Sequence, residues 1–274
     1  MSDPRLTPFS GRVALARLRG HVEAENFTQG TPARLTAPLT DLRRRPDGPV
    51  ERQLLLGARI TVVETREAWS FVEAEADGYC GWISHSAIGP DHPVTHRVSA
   101  AATHLYSAPD LKSPTLAALS LNACVQITGQ EGSFLRRDTG QWLPRQHLAP
   151  LDQPETDPVS VAECLLGTPY LWGGNSRAGV DCSGLVQLAL HACARACPGD
   201  SDMQERALGT PLPPGTPARR GDLLFWRGHV AWISAPDTIL HANAHSMSVA
   251  YEPLDAALAR ITTDTPLTAH IRPE

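Results

Sequence analysis

The alternation of apolar and polar positions changes its period along the chain. Between about residues 31 and 148, short alternating runs are separated by turns rich in Gly, Asp and Ser, which is typical of small antiparallel β-barrels. From residue 159 the apolar residues recur at helical spacing, and after the proline-rich stretch 211–217 the strand period returns. Helices followed by an antiparallel sheet predict an α+β domain in the C-terminal part of the chain.

The barrel-forming part contains one pattern twice, in residues 60–88 and again in residues 125–148. Each copy has a Trp-centred strand six residues before its closing aliphatic residue, and the two tryptophans, Trp82 and Trp142, are 60 residues apart. We interpret this as an internal duplication. We expect two small barrels, each with its tryptophan in the core, and either with or without a ligand of its own.

These patterns divide the chain into five segments. They are an N-terminal extension (1–30), a first barrel (31–92), a second barrel (93–151), a polar linker interrupted by two prolines (152–158) and the α+β domain (159–274). Within the extension, residues 11–20 predict a short basic amphipathic helix.

The C-terminal segment predicts three helices before its strands. The helices are expected at 159–166, from 181 or 182 to about 196, and at 202–208, and the strands at 222–226, 229–233, 238–242 and 249–252. Cys193 and Cys197 are four residues apart, so we expect both on one face of the second helix as small buried residues.

The composition is that of an ordinary globular protein with more than one domain. The 274 residues are 42% hydrophobic and 19% charged, and the net charge of −5 gives no general attraction to nucleic acid or to anionic membranes. The N-terminus has no apolar core of signal-peptide length, and no later stretch has the roughly 20 apolar residues of a membrane span. We therefore expect a cytoplasmic protein, and nothing in the sequence indicates its oligomeric state.

Metal and cofactor chemistry are not expected. None of the six cysteines forms a Cys-x-x-Cys pair, which argues against a zinc knuckle or a disulfide framework. Two histidine pairs, His92 with His96 and His241 with His245, have the spacing of metal ligands, but neither has an acidic or thiol third ligand nearby on a helix.

Cys182 is the strongest candidate for chemistry. It lies where a turn-rich loop meets a helix, and the unpaired N–H groups of a helix start favour thiolate over thiol. A carboxylate beside it, Asp181, would raise the pKa of the thiol instead, unless a substrate brings a cation there. His229 and His241 lie on consecutive predicted strands, and a turn at 234–237 would place them opposite each other, so that one imidazole could orient the other.

The C-terminal segment contains five motifs in a fixed order: Trp-Gly-Gly (172–174), Asp-Cys-Ser-Gly (181–184), Gly-Asp-Leu-Leu-Phe-Trp (221–226), Gly-His-Val-Ala-Trp-Ile (228–233) and Ile-Leu-His-Ala (239–242). This ordered set resembles the NlpC-type cell-wall cysteine peptidases of the NlpC/p60 superfamily. The resemblance covers about residues 159–251 and implies a papain-like fold, in which the helix carrying the thiol packs on an antiparallel sheet. The repeated barrel pattern, with its strand Gly-Tyr-Cys-Gly-Trp-Ile (78–83), resembles bacterial SH3-like domains, so both barrels are expected to be SH3-like; the second copy lacks the second glycine and is the weaker match.

The resemblance implies a role for each site residue. Cys182 would be the nucleophile, His229 the base and His241 the residue that orients it. The substrate-binding residues would be Tyr170, Trp172, Asp181 and Ser183 in the peptidase domain.

Relatives with SH3-like domains ahead of the peptidase domain look like recycling enzymes. The resemblance implies that they cleave murein peptides between γ-D-glutamate and the following diamino acid and require a free N-terminal L-alanine. Its ammonium group would be held by Glu51 and Tyr79 of the first barrel. The implied partner is thus a murein-derived peptide, and neither nucleic acid nor a membrane is expected.

Two other function classes remain open. A thiol amidase or acyltransferase could use the same Cys and His pair on a different acyl group. A cell-wall binding module without catalysis would predict the loss of Cys182, His229 or His241, and all three are present. The SH3-like strand and the Trp-Gly-Gly element favour peptidoglycan peptides.

Overall fold

The computed structural model describes residues 3–273. These residues divide into two compact units, one up to Leu151 and one from Asp152 onward. The first unit is built almost entirely from strands, and the second combines helices with a five-stranded antiparallel sheet. Among the helices of the described residues, none is both long enough and apolar enough to cross a lipid bilayer.

The N-terminal part of the first unit contains nine strands: β1 (Val13–Leu15), β2 (Asn26–Thr28), β3 (Thr31–Leu35), β4 (Leu39–Arg43), β5 (Val50–Leu55), β6 (Arg59–Arg66), β7 (Trp69–Ala74), β8 (Cys80–Ser84) and β9 (Ile88–Pro90). Strands β3 to β9 form one antiparallel sheet in the order β5-β4-β8-β7-β6-β3-β9. Trp82 packs edge-on against Phe71, with ring centroids 5.5 Å apart. This tryptophan lies in the core, as predicted for the first barrel.

The second glycine of the Gly-Tyr-Cys-Gly-Trp-Ile strand has a packing reason. A Cβ atom at Gly81 would lie 2.2 Å from the Leu42 Cδ2 atom and 2.8 Å from the Arg43 carbonyl oxygen. Strands β4 and β8 therefore approach each other too closely for any side chain at this position.

The prediction of a helix in residues 11–20 is wrong. The segment contains strand β1, which pairs in parallel with β2, followed by a 3-10 turn at Ala16–Leu18. Leu15 is buried in a cluster with Val63, Phe71 and Trp82. Burial of this side chain against the barrel holds the segment extended, and such tertiary packing overrides a local helical preference.

The rest of the first unit contains eight strands: β10 (His96–Val98), β11 (Ala102–Tyr106), β12 (Thr115–Ser120), β13 (Cys124–Val125), β14 (Ile127–Glu131), β15 (Phe134–Arg137), β16 (Trp142–Pro144) and β17 (Leu148–Pro150). They form a five-stranded sheet, β12-β11-β16-β15-β14, and a three-stranded sheet, β13-β10-β17. Both copies of the repeated pattern place a 3-10 helix just before the closing strand, at His85–Ala87 and at Arg145–His147.

The second tryptophan does not anchor its barrel in the way predicted. Trp142 is only half-buried, with the Arg136 guanidinium 5.9 Å from its ring centroid. The aromatic pair of this barrel is Tyr106 with Phe134, and Leu143 is fully buried beside Trp142 in the chain. The core position has thus moved by one residue along β16, to the opposite side of the strand.

The second unit begins with helix α1 (Pro158–Glu163), the short strands β18 (Asn175–Ser176) and β19 (Gly179–Val180), and helices α2 (Cys182–Ala192) and α3 (Ser201–Ala207). The remaining elements are β20 (Leu223–Trp226), β21 (His229–Ala235), β22 (Thr238–Asn243), β23 (Ser248–Pro253), α4 (Leu254–Asp264) and β24 (Leu267–Ile271). The sheet order is β23-β22-β21-β20-β24, with every neighbouring pair antiparallel. Helices α1 and α2 contact each other and pack on β21.

Two elements of this unit had no counterpart in the sequence prediction, helix α4 and the edge strand β24. Ala257 and Ile261 on α4 are buried in a cluster with Leu224, Trp226 and Ile239 of the sheet. Of the apolar residues in α4, only Ala257 and Ile261 are buried, and they pack on the sheet.

Helix α2 ends four residues earlier than predicted. Cys193 is its C-cap, and Ala194 has φ +54°, which is incompatible with continuing an α-helix. The two cysteines are therefore not on one helix face: Cys193 is half-buried at the cap, and Cys197 is buried beyond the helix.

Candidate active site

Cys182 is the first residue of helix α2, and Asp181 is the N-cap. The Asp181 carboxylate accepts hydrogen bonds from the Gly184 N–H (2.7 Å), the Ser183 hydroxyl (3.0 Å) and the Gly173 N–H (2.9 Å). The first two bonds close the helix start, and the third ties it to the preceding loop. Asp181 and Ser183 thus hold the position of the thiol between them.

The last residue of the Asp-Cys-Ser-Gly motif must be glycine for a steric reason. A Cβ atom at Gly184 would lie 2.5 Å from the Gly174 carbonyl oxygen, well inside van der Waals contact. The loop and the first turn of α2 therefore pack backbone against backbone. Any side chain at this position would push the helix start, and the thiol with it, away from the loop.

The thiol of Cys182 is buried against the start of strand β21. Its Sγ atom lies 3.9 Å from the Gly228 carbonyl oxygen, and the Val230 N–H donates to it. Gly228 and Val230 are the chain neighbours of His229, so the thiol lies against the backbone on both sides of this histidine. The helix start and the strand start are thereby brought to one place.

His229 and His241 are joined by a hydrogen bond. The His229 Nε2 atom is 2.9 Å from the His241 Nδ1 atom, and the two rings meet edge to face with centroids 5.1 Å apart. His241 is only 1% exposed. The Cys182 thiol thus lies against the backbone on both sides of His229, and the His229 ring is bonded to His241.

The predicted strand register is wrong by two residues. Trp232 pairs with Leu240, and extending that register by one residue places His241 opposite Ala231 instead of His229. The two-residue turn between Ala235 and Thr238 and the register shift between Ile233 and Ala235 together produce this pairing. The two histidines are diagonal neighbours on one sheet face, a separation that aromatic side chains can still bridge.

Two further residues extend the contacts of His241, and the sequence analysis missed both. The His241 Nε2 atom is 3.1 Å from Oε2 of Glu252 on β23. The Arg260 guanidinium on α4 bonds both oxygens of that carboxylate, at 3.0 and 2.6 Å. The sequence could have indicated Glu252, because it is an acidic residue on the predicted strand that follows the strand of His241. Arg260 could not be found in this way, because it lies on a helix that the pattern did not predict.

Burial dominates the protonation of the site. It raises the pKa of Cys182 to about 12, helped by the charge of Asp181, and the backbone N–H groups at the helix start lower the pKa by less. Burial likewise lowers the pKa of His229 to about 3 and that of His241 to about 4. These shifts oppose the expectation that the helix start makes the thiolate the favoured form, and in the free enzyme they favour a thiol beside neutral imidazoles.

The two aromatic residues named for the pocket lie just ahead of the helix start. Tyr170 is half-buried, and burial raises the pKa of its phenol to about 12, with a smaller contribution from the charge of Cys182. Trp172 is 73% exposed, which is unusual for so large an apolar side chain. It directly precedes Gly173, whose N–H binds Asp181.

Glu51 and Tyr79 belong to the first unit. The Glu51 carboxylate accepts two hydrogen bonds from Arg44, at 2.8 and 3.1 Å. Tyr79 is 1% exposed, and the guanidinium carbon of Arg52 lies 5.0 Å from its ring centroid. Glu51 is thus paired with an arginine, and the body of Tyr79 fills the barrel.

The described residues contain no group of three or more His, Cys, Asp or Glu side chains arranged to hold a metal ion. His241 instead shares its two ring nitrogens between His229 and Glu252.

Comparison with known proteins finds two families. The bacterial dipeptidyl-peptidase Sh3 domain matches residues 42–88, and the NlpC/P60 family matches residues 167–263. The gamma-D-glutamyl-L-lysine dipeptidyl-peptidase of Bacillus subtilis is 28% identical over 198 residues, which cover 66% of this chain and 65% of the relative. Dipeptidyl-peptidase 6 of Lysinibacillus sphaericus is 34% identical over 136 residues, or 48% of each chain. The chain thus spans two thirds or less of the length of these relatives.

Among solved structures, an NlpC/P60 family protein from Bacillus cereus superposes with a TM-score of 0.75 at 20% identity, covering 89% of this chain and 100% of that one. A buried thiol at a helix start, packed on an antiparallel sheet that carries two linked histidines, defines the papain-like class of thiol hydrolases. Residues 167–263 form an NlpC/P60 family domain, and residues 42–88, ahead of it in the chain, form a bacterial dipeptidyl-peptidase Sh3 domain. The α+β fold class expected from the sequence is confirmed.

Proposed function

We propose that this protein is a cysteine peptidase that cleaves murein stem peptides between γ-D-glutamate and the following diamino acid. The observation that carries the proposal is the contact of the Cys182 thiol with the backbone around His229, together with the bond from His229 to His241. The relative from Bacillus subtilis that carries the name gamma-D-glutamyl-L-lysine dipeptidyl-peptidase supports the choice of bond.

The reaction uses the thiol as nucleophile and His229 as base. Because the raised pKa of Cys182 keeps the thiol protonated, His229 removes the proton as the sulfur attacks the γ-glutamyl carbonyl carbon. The backbone N–H groups at the start of α2, including that of Cys182, stabilise the oxyanion. His229 then donates the proton to the leaving amine, and water hydrolyses the thioester.

The free N-terminus of the substrate is the second part of the proposal. Asp181, Ser183, Tyr170 and Trp172 form the subsites next to the thiol, and Glu51 with Tyr79 binds the ammonium group of L-alanine. The relatives' name, dipeptidyl-peptidase, denotes release of a dipeptide from a free amino terminus and supports this requirement. Burial raises the pKa of Asp181, and a cationic substrate group nearby would offset the cost of its charge.

Turnover by the Cys182→Ala variant tests the mechanism. We expect no cleavage of L-Ala-γ-D-Glu-L-Lys or of its diaminopimelate counterpart, with an unchanged circular dichroism spectrum. Retained cleavage would refute the mechanism. Amide and ester lipids assayed beside the peptides test the alternative of a thiol amidase or acyltransferase. If the unmodified protein bound the peptide without cleaving it, the result would support the alternative of a cell-wall binding module.

Acetylation of the substrate amine tests the subsite. We expect kcat/KM of the unmodified enzyme to be about 10- to 100-fold lower for the acetylated peptide than for the free peptide, which corresponds to one hydrogen bond to a charged group. We expect a loss of the same size for the Glu51→Gln variant acting on the free peptide. Glu75→Gln is the matched control, since Glu75 is also paired with an arginine of the same unit, Arg59, at 3.0 Å. Equal losses in the two variants would argue against the assignment of Glu51.

Two further expectations from the sequence belong to this proposal. The recycling role places the protein in the cytoplasm, which fractionation of the source cells would test. The boundaries 1–30, 31–92, 93–151, 152–158 and 159–274 predict that limited proteolysis cuts first within residues 152–158, and a first cut inside a barrel would argue against them.

A further inference from the structure

The hydrogen bonds that run from His229 through His241 end at the carboxylate of Glu252. Glu252 receives two bonds from Arg260 and one from His241. The hydrogen bond from Arg260 is the main reason that the pKa of Glu252 lies below its ordinary value. Glu252 is therefore ionised at neutral pH, and an ionised carboxylate accepts hydrogen bonds and donates none.

This acceptor determines the position of every proton along these bonds. Because Glu252 only accepts, the Nε2 atom of His241 must carry the hydrogen that lies between them. A neutral imidazole has one N–H, so the Nδ1 atom of His241 is an acceptor. The Nε2 atom of His229 must then donate to it, and the Nδ1 atom of His229 is left without a proton.

We propose that Glu252 is a positioning residue that selects the tautomers of both histidines, so that His229 presents an unprotonated Nδ1 atom as the base. The inference rests on the proposed role of His229. Reversing the tautomer of His241 would reverse that of His229 as well, and Nδ1 of His229 would then carry a hydrogen. In that state it could not accept the proton of Cys182.

The placement of Glu252 suits this role. His241 pairs with Ala250 across the two strands, and Glu252 lies two residues further along β23, paired with Ile239. Six consecutive residue pairs hold β22 against β23, so the carboxylate is carried by a regular sheet. The titratable groups that act on His241 include His229, Glu252, Arg260 and His245, and Glu252 is the carboxylate among them that accepts a hydrogen bond from it.

The tautomers can be measured directly by nitrogen NMR on protein labelled with ¹⁵N-histidine, with His229→Gln and His241→Gln variants to assign the signals. In the unmodified enzyme we expect the hydrogen on Nε2 of both rings. In Glu252→Leu we expect forms with the hydrogen on Nδ1 to appear in both rings, because the acceptor that fixed the hydrogen on Nε2 of His241 is gone and either pair of tautomers keeps the bond between the two rings. A hydrogen on Nδ1 of His229 in the unmodified enzyme would overturn the proposal, and so would unchanged tautomers in the leucine variant.

Kinetics give a second measurement. Glu252→Leu should lower kcat by about 10- to 100-fold, the range seen when an outer partner that orients a histidine is removed, with KM within about twofold. Glu252→Gln, whose amide oxygen still accepts, should restore the tautomers and most of kcat. Glu163→Leu is the matched control, because Glu163 is also paired with an arginine, Arg220, in the same unit.

An unchanged kcat in Glu252→Leu, or an equal loss in Glu163→Leu, would overturn the positioning role. The tautomer measurement needs no substrate and, in the unmodified enzyme, no variant at position 252. Failure of the enzyme to cleave murein peptides would therefore refute the proposed function and leave the test of Glu252 readable.

Discussion

Removal of the buried Asp222 carboxylate should measure how strongly the C-terminal strand stabilises the five-stranded sheet of the second unit. Asp222 lies directly before strand β20 and is 0% exposed. Its oxygens accept two bonds from Arg272 (2.7 and 2.8 Å), one from His270 (2.8 Å) and one from the Arg219 N–H (3.0 Å). These bonds connect the start of β20 to β24 and to the residues that follow it.

The expected cost of Asp222→Asn follows from these contacts. The asparagine keeps one acceptor oxygen, but its NH2 group replaces the other oxygen and faces the N–H donors of Arg272 and His270. Breaking a buried ion pair by removing one partner costs about 3–5 kcal/mol. Arg272 keeps 35% of its side chain exposed, so water replaces part of the loss, and we expect a destabilisation of about 2–4 kcal/mol.

The matched control is Asp202→Asn. Asp202 forms an ion pair of the same type with Arg206 at 2.8 Å, but the two side chains are 45% and 63% exposed. An exposed pair of this spacing contributes about 0.5 kcal/mol or less. Urea unfolding, followed by hydrogen exchange of peptides from residues 152–273, measures both variants in the unit concerned.

The loss of stability in Asp222→Asn should also depend on pH. Burial raises the pKa of Asp222, but the bonds from Arg272 and His270 outweigh burial and hold the pKa below its ordinary value. A lowered pKa stabilises the fold above the unfolded pKa of about 3.9, and this stability is lost as the pH falls through the folded value. The difference between Asp222→Asn and the unmodified protein should therefore shrink below about pH 4. Equal destabilisation by the two variants at pH 7 would refute the reasoning from burial.

Two other predictions follow from the helix start. Gly184→Ala places a Cβ atom 2.5 Å from the Gly174 carbonyl oxygen, so we expect a loss of about 1–3 kcal/mol in the free energy of unfolding and loss of turnover. The control is Gly129→Ala, whose Cβ atom would lie 3.7 Å from its nearest neighbour and which should keep turnover. Equal turnover in the two variants would argue against the clash. Because burial and Asp181 raise the pKa of Cys182 to about 12, its alkylation by iodoacetamide in the free enzyme should rise about tenfold per pH unit from pH 7 to 10, measured as the difference from Cys182→Ala. A plateau below pH 7 would instead indicate a thiolate paired with imidazolium.

Much of the first unit was predictable because strands with one buried face leave a period of two in the sequence. The repeated pattern, its turns and the buried Trp82 all follow from that period. The extension was not predictable, because Leu15 is buried against side chains 48 or more residues away. Trp142 was misplaced for a similar reason, since either face of a short strand can turn toward a small core.

The candidate site divides in the same way. Asp181, Cys182 and Gly184 belong to one helix start, whose N-cap and close packing are local, and the motif therefore marks it reliably. The bond from His229 to His241 depends on a strand register that is set by a two-residue turn and by the register shift between Ile233 and Ala235. The sequence analysis named the two histidines as partners but misjudged that register.

The amino-acid sequence by itself determined the class of the protein, the helix that carries the thiol and the two histidines, because these depend on capping, periodicity and motif order within short stretches of chain. Only the tertiary structure decided the protonation of the site and its outer partners. Burial raises the pKa of Cys182 and lowers those of both histidines, and the bonds from Arg260 through Glu252 to His241 join a helix to two strands. The pKa shifts arise because folding excludes solvent from the site, and the bonds arise because segments distant in sequence pack together. A local pattern of residues contains no information on either.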